Sequence, residues 1–502
     1  MIDTEAVRRF FPFLQKELEL RVANPAETQR VFVDSGASTH MPLPVLEKIA
    51  ESLFRYANVH RGAYDNSQHT TEEFERAYNV AANLVNAASW REIIFTRGTT
   101  EAINVVAYSL LPEFRDGDNV VVTRLEHNSN YVPWYGVQQR LKAQGINIEI
   151  KVVDFDLKTG ELDMPDLEKK VNDRTKILAM TGASNFLGVK PDIKRAADIA
   201  HSTKYKHPND VTGTYVLVDG AQLVPGSSVD VQELGCDFLA WSFHKMLLPA
   251  GVGCLYGRQH LLESMEPFNY GGDMIFEVKE GEITYNVLPW KFTAGTPNIL
   301  GTIAATHGIS FLINAGLGNL GESDEKLIQR VLVEIMLNTP KGDFEIGYEV
   351  AQQHHNLMRG YFREHTELQQ LLRDPSRRVG ESRIIVRQAM AAVQDYEQVL
   401  TQAAIDRLRE VPGVILYGTI DAKKRTGLIA FNVAGIAPKP LAVRLGELGV
   451  EARDGVMCAS LANQALGLKD GGVRFSFNIY TNTDDVYRST DAVKQISKEV
   501  GN

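Results

Sequence analysis

Cysteine is nearly missing from this chain: among 502 residues there are three, Cys236, Cys254 and Cys458, set far apart. Such a set builds neither a disulfide framework nor a metal knuckle, so reduced thiols, no metal and a cytoplasmic setting are expected. Long apolar runs are scarce as well. No stretch of about 18 apolar residues is found, and no bilayer span is expected. The start, Met1-Ile2-Asp3-Thr4-Glu5, is acidic and leads into no apolar core of a secretory signal. Basic charge is in deficit, with 53 Lys and Arg against 63 Asp and Glu for a net −10. That is the wrong sign for a general nucleic-acid binder, whose phosphate contacts need cations. Internal repeats and low-complexity tracts are missing too. What is present, 44% hydrophobic and 23% charged residues, is ordinary for a globular protein and long enough for two or three domains.

After a helical segment over residues 1–30, short β-branched runs alternate with segments of helical period. The runs are Val31–Val33, Glu92–Phe95, Asn119–Thr123, Ile148–Val153, Lys176–Met180 and Tyr215–Val218. This alternation predicts a large α/β domain over 31–300 with a mostly parallel sheet, where chemistry gathers at the carboxyl ends of strands. From about 300 the pattern changes. A helix is predicted over Ile303–Ala315, then a helix-rich stretch, then strands at Gly413–Tyr417 and Gly427–Val433 and a helix at Lys439–Leu448. These predict a smaller α+β domain over 301–502.

The most informative stretch is Ser242-Phe243-His244-Lys245, preceded by Tyr215–Val218 and Asp219-Gly220-Ala221-Gln222. An acid ends one apolar strand, and a lysine follows another. Pyridoxal phosphate (PLP) chemistry needs this pair: an amine to bond the cofactor aldehyde and a carboxylate to hold a proton on the pyridine nitrogen. An Asp at a strand end serves equally as a cap. Gly98-Thr99-Thr100-Glu101 opens a helix and offers free N–H groups and two hydroxyls to a phosphate; it also reads as an ordinary N-cap. His127 follows a strand, where an imidazole can stack on a flat ring and shuttle protons. Asn185 can donate to a phenolic oxygen or simply make a turn. Arg474 is a cation inside the apolar run Val473–Phe477, so it faces solvent or meets a carboxylate, a substrate's included. Cys458 sits in a glycine-containing loop, and a nucleophilic role there needs an activating environment. Cys236 and Cys254 lie in apolar surroundings and read as inert.

Taken in this order, these motifs resemble the cysteine desulfurase/selenocysteine lyase group of class V, fold type I PLP enzymes, especially its SufS-like branch. Further strings carry the likeness: Asn58-Val59-His60-Arg61-Gly62, Thr96–Asn104, Glu126–Asn130, Ala294–Asn298 and Arg474–Phe477. It covers roughly 25–320 and 395–500. The resemblance implies a fold type I α/β architecture with PLP as cofactor. Lys245 would be the Schiff-base lysine and proton shuttle, Asp219 the pyridinium partner, and His127 the stacking residue. Asn185 and Gln222 would contact the ring hydroxyl side, and Asn185 would also face the substrate. Thr99, Thr100, Ser242 and His244 would hold the phosphate, joined by Thr296 from the second subunit of a homodimer. Arg474 would bind the carboxylate of an amino-acid substrate, and Cys458 would take its sulfur as a persulfide, turning L-cysteine into L-alanine.

Two departures stand out. The branch usually carries two histidines before the nucleophile, where this chain has Val456 and Met457. Apolar neighbours raise a thiol pKa, so weaker persulfide chemistry is expected. A helical insert also occupies about 322–394, with apolar residues at helical spacing (Leu327, Ile328, Val331, Leu332, Ile335; then Leu357, Met358, Tyr361, Phe362). Within it Asp374–Gly380 reads as an exposed turn and His354-His355 as surface residues. The insert is expected to be a docking element, for a partner such as a sulfur acceptor, or an oligomer element, and its deletion to leave PLP binding intact. Two rivals remain. One is a PLP-dependent C–S lyase or other class V enzyme with Cys458 incidental; the other is a binding component of a sulfur-handling assembly.

Overall fold

The computed structural model describes residues 2–15, 30–248, 250–321, 323–339, 341 and 375–501. Among these described residues, fifteen strands are laid down in chain order. After β1 (Val31–Phe32), the large sheet is built from β2 (Ile93–Thr96), β3 (Asn119–Thr123), β4 (Glu149–Val153), β5 (Thr175–Thr181), β6 (Tyr215–Asp219), β7 (Phe238–Ser242) and β8 (Gly253–Gly257). Their spatial order is β2-β8-β7-β6-β5-β3-β4, and only β8 runs against the rest. Strands β3, β5, β6 and β7 are buried along their whole length. Such continuous apolar strands need cover on both faces, and one apolar cluster lies on each side, around Trp241 and Phe243 and around Trp134 and Tyr215.

A hairpin, β9 (Ile275–Lys279) and β10 (Glu282–Tyr285), comes next and leaves Phe276, Val278 and Ile283 exposed. The smaller sheet is formed by β11 (Val414–Tyr417), β12 (Leu428–Val433), β14 (Arg453–Gly455) and β15 (Gly472–Ser476), in the order β11-β12-β15-β14 and antiparallel throughout. Strand β13 (Val450–Glu451) pairs in parallel with β1. These two form a sheet of their own, and the bridge from Asp34 to Ser476 of β15 links it to the smaller sheet.

Six helices frame the site and the insert: α1 (Leu43–Phe54), α2 (Asp65–Val85), α3 (Thr99–Ser109), α4 (Ile299–Gly316), α5 (Asp324–Leu337) and α6 (Pro375–Arg409). By length and hydropathy α4 is apolar enough to cross a membrane, but 83% of it is buried inside the protein. Packed between α1, α2 and α6, it is a core helix. Of the insert, α5 confirms the first helical run. The residues around 357–362 and the His354-His355 pair lie outside the described residues. The exposed turn expected at 374–380 is corrected: from Pro375 the chain is already in α6. Proline at the first helical position costs no hydrogen bond and has the helical φ built in, so the segment begins a helix where Pro-Ser-Arg suggested a turn. Residues of α6 inside the expected insert, Ala389, Met390 and Val393, are at most 1% exposed. They belong to the core.

Candidate active site

The carboxyl ends of β2, β3, β5, β6 and β7 all open on one cavity of about 210 Å³. Its walls hold Thr99, Thr100, His127, Asn185, Asp219, Gln222, Ser242, His244, Lys245, Cys458 and Arg474. Every site residue expected from the sequence is there except Thr296, which is exposed and lines no part of it. The parallel register explains the convergence, since Thr181 stands opposite Asp219 and Asp219 opposite Ala240. Residues just past adjacent strands are thus brought to one edge.

At one end, Gly98 leads into α3 with a φ of 157°, and the Thr99 N–H donates to Ser242 Oγ at 2.7 Å. The Thr99 hydroxyl lies 2.7 Å from the same oxygen. A Cβ on Gly253 would collide with the Gly98 backbone, so glycine is required for this approach. A helix N-terminus ringed by three hydroxyls suits a phosphate. In the middle, Asp219 is 3% exposed and its Oδ1 accepts the Ala221 N–H at 3.0 Å. Burial pushes this carboxyl up, against the pull of Ala221 and Lys245. A protonated pyridine nitrogen would supply the counter-charge it lacks. Burial draws the Lys245 amine down to about 8, with Asp219 opposing. The lysine therefore has a sizeable neutral fraction near neutral pH, as bonding to an aldehyde requires.

Burial, reinforced by the Lys245 and Arg474 charges, draws His127 down to about 4. Its Nδ1 accepts the Ser129 N–H at 3.1 Å and faces Ser129 Oγ at 2.7 Å. The ring is neutral at pH 7 and its proton lies on Nε2. Free proton shuttling at neutral pH, expected from the sequence, is not supported by this environment. Burial also draws His244 down to about 4, and its carbonyl accepts the Thr39 N–H. Gln222 donates to Gly36 O at 2.7 Å.

The smaller sheet supplies Arg453 and Arg474 to the same cavity. Arg474 is 2% exposed; its Nη2 meets Asp34 Oδ1 at 3.1 Å and its Nη1 donates to Asn185 O at 2.8 Å. Its Nε is buried with no partner among the described residues, leaving a donor for an incoming anion. Arg453 lines the same cavity and lies opposite Arg474 in the β14–β15 register. Like charges placed so are destabilising, and Asp34, which feels both cations, offsets them in part. Sequence reasoning missed Asp34 and passed over Arg453. The buried Arg474 demanded a carboxylate partner, but only the fold shows which.

Cys458 is exposed at the cavity while Met457 is 7% exposed. The apolar shielding of the thiol expected from Val456 and Met457 is not found, because the methionine turns inward and the cysteine outward. Both residues hold φ near 55°, a conformation costing roughly 1–2 kcal/mol each for non-glycine residues. Three main-chain contacts hold them there. Asn185 Nδ2 donates to Met457 O at 2.6 Å, Asn128 N–H to Cys458 O at 2.7 Å, and Asn463 Nδ2 to Val456 O at 3.1 Å. One amide hydrogen of Asn185 is therefore spent on this loop, which leaves the second for a phenolic oxygen, and its Oδ1 is buried and unpartnered among the described residues. Cys236 and Cys254 are fully buried, and burial pushes Cys236 up to about 12, so both are inert packing residues.

These donors, the glycine cradle and the orphaned Asn185 and Arg474 atoms fit PLP carrying an amino acid. Known proteins agree. The sequence matches the aminotransferase class-V family over residues 31–374 and 380–488. It is 33% identical over 487 residues to a probable cysteine desulfurase of Halalkalibacterium halodurans, covering 97% of this chain and 96% of that one. It is 31% identical over 500 residues to a cysteine desulfurase of Haloferax volcanii, covering 98% and 96%. Among solved structures, an apo cysteine desulfurase from Thermococcus onnurineus aligns with a TM-score of 0.75 at 27% identity, and the cysteine desulfurase CsdA from Escherichia coli with 0.72 at 28%; each comparison covers 99% of both chains. With the geometry and these likenesses together, the chain belongs to the aminotransferase class-V family, in its cysteine desulfurase group, and its cofactor is pyridoxal phosphate.

Proposed function

We propose that this enzyme converts L-cysteine to L-alanine and receives the sulfur on Cys458 as a persulfide. The observation that carries this reading is the single cavity that joins half-buried Lys245 and buried Asp219 to Arg474, whose Nε lacks a partner among the described residues, and to an exposed thiol. When bound, PLP supplies an aldehyde carbon for amines and a protonated ring that accepts electrons. Thr99, Thr100, Ser242 and His244 would hold its phosphate, Asp219 would keep the ring nitrogen protonated, and His127 and Gln222 would fix the ring plane. Arg474, with Arg453 opposite, takes the substrate carboxylate and so turns the Cα proton toward Lys245 Nζ. Lys245 removes that proton as the neutral amine and holds it. Cys458 Sγ forms the S–S bond as the substrate Cβ–S bond breaks, and a proton returned to carbon completes alanine. Protons and electrons balance with no outside oxidant: cysteine and thiol give alanine and persulfide.

A homodimer with Thr296 reaching the neighbouring phosphate site is part of the proposal. It is supported by the exposure of Thr296 and of the apolar β9–β10 hairpin, which needs cover. The free thiols fit a cytoplasmic setting. A division near residue 300 into large and small domains, and an acceptor protein docking at the insert, complete it. Purified protein and its Cys458→Ala variant, given L-cysteine and a reductant, test the reading: alanine from the wild type alone supports it. Pyruvate with sulfide, or turnover that survives the substitution, would instead make this a C–S lyase.

A further inference from the structure

Glu397 on α6 has no part in the steps above, yet it lines a cavity that Lys245 also lines. A second, smaller cavity of about 30 Å³ is lined by Glu397, Lys245, Gln222, Gly36, Ser476 and Asn478, among others. Lys245, Gln222 and Gly36 also line the main cavity, so the lysine stands in the wall between the two. The space exceeds the roughly 10–15 Å³ that one water needs, and a polar lining of this kind is hydrated where an apolar one stays dry. Asn478 is 6% exposed and its Oδ1 is buried with no partner among the described residues. A water donating to that oxygen would satisfy it.

Glu397 is itself 6% exposed. It accepts the Gly427 N–H, Lys190 is the cation whose field reaches it, and Tyr480 is the titratable neighbour that feels its charge. Burial outweighs Gly427 and Lys190 and pushes the carboxyl up to about 8, the value to which Lys245 is drawn down. An acid and an amine of matched proton affinity therefore border one polar cavity. Transfer between matched partners costs little free energy in either direction.

We propose that Glu397 is a proton reservoir for Lys245, exchanging protons with Lys245 Nζ through water held in the small cavity by Asn478 Oδ1. The lysine ammonium gives a proton to this water, which passes one to the Glu397 carboxylate; the neutral acid returns a proton by the same path. Net charge is unchanged, and the proton taken from substrate Cα mixes with those of the reservoir before one is returned to carbon. This rests on Lys245 being the proton carrier, as proposed above.

Two variants of the full-length protein test it. Glu397→Gln keeps an acceptor for Gly427 but holds no exchangeable acid proton, and Asn478→Leu removes the acceptor for the water while leaving Glu397 in place. With L-cysteine deuterated at Cα in ordinary water, the PLP-loaded wild type should lose most of the label, and both variants should retain more of it in alanine. A second arm needs no turnover. In cofactor-free protein, infrared difference spectra across the half-ionisation point near pH 8 should show a protonated-carboxyl band that is lost in Glu397→Gln; the buried Glu126 contributes equally to both spectra. Label retention equal in wild type and variants would overturn the proposal, and so would an infrared spectrum unchanged by Glu397→Gln. Should one variant fail to fold, the other still cuts the same path. A wild type that makes no alanine would count against the desulfurase reading alone, and the infrared arm would then decide the reservoir.

Discussion

At the scale of single residues, Arg474 shows how burial converts into specificity. A guanidinium at 2% exposure is held by Asp34 and Asn185 and keeps Nε free among the described residues. Lysine has a point charge and no planar fork, so Arg474→Lys would keep the charge and lose the geometry. We expect KM for L-cysteine to rise by ~10–100-fold, about 1.4–2.8 kcal/mol of binding, with PLP absorbance unchanged; an unaltered KM would remove Arg474 from the substrate site. Glu126 offers a second test. It is 1% exposed, and its carboxyl takes hydrogen bonds from Thr123, Asn130 and Thr181 N–H. Burial still pushes it up to about 8 from 4.5. The native state thus binds a proton that the unfolded chain has released, and its stabilisation is present below pH 4.5 and lost as pH rises through about 8. Glu126→Gln is expected to flatten the fall in melting temperature over that window; parallel pH profiles for the two proteins would contradict it.

At the scale of elements, α2 carries a row of buried asparagines that fastens the start of the insert to the core. Asn83 Nδ2 donates to Leu337 O and Thr339 O, and its Oδ1 accepts Ser382 Oγ. Asn79 holds Thr339 O and the Lys341 N–H, and Asn86 holds the buried Lys341 amine. Asn83→Ala would leave the Leu337 carbonyl and the Ser382 hydroxyl without this partner, at about 1–3 kcal/mol each if neither finds water, while Asn79 still serves Thr339 O. A clear drop in melting temperature with PLP absorbance retained is expected; no drop would mean that water replaces the amide. The same contacts bear on deletion of 322–394, which would uncover this row and remove the part of α6, at Ala389, that packs on Gly316 of α4. Asparagines at positions 79, 83 and 86 read in the sequence only as polar residues on a helix, because what they hold lies far along the chain, 254 residues on in the case of Leu337. Strand periodicity, in contrast, is local, and the runs ending at Phe95, Thr123, Val153, Met180 and Val218 are found as strands to within about a residue.

At the scale of the whole molecule, the site is assembled from two sheets, and its legibility divides along that line. Residues just past parallel strands (Thr99, His127, Asn185, Asp219, Lys245) were legible because the fold class dictates where strand ends gather. Those contributed across the smaller sheet were partly hidden: Arg474 was visible as a misplaced cation, but Asp34 and the facing Arg453 depend on pairings that no local pattern encodes. The exposure of Cys458 depends on two consecutive left-handed residues, which Val456 and Met457 give no reason to expect. The central claim, a thiol served by PLP chemistry in one cavity, is tested most directly by incubating the wild type and Cys458→Ala with L-cysteine and a reductant and measuring alanine, pyruvate and sulfide. Alanine from the wild type, lost in the variant while its PLP absorbance persists, is the predicted result. Equal turnover by both proteins, or pyruvate in place of alanine, would contradict it.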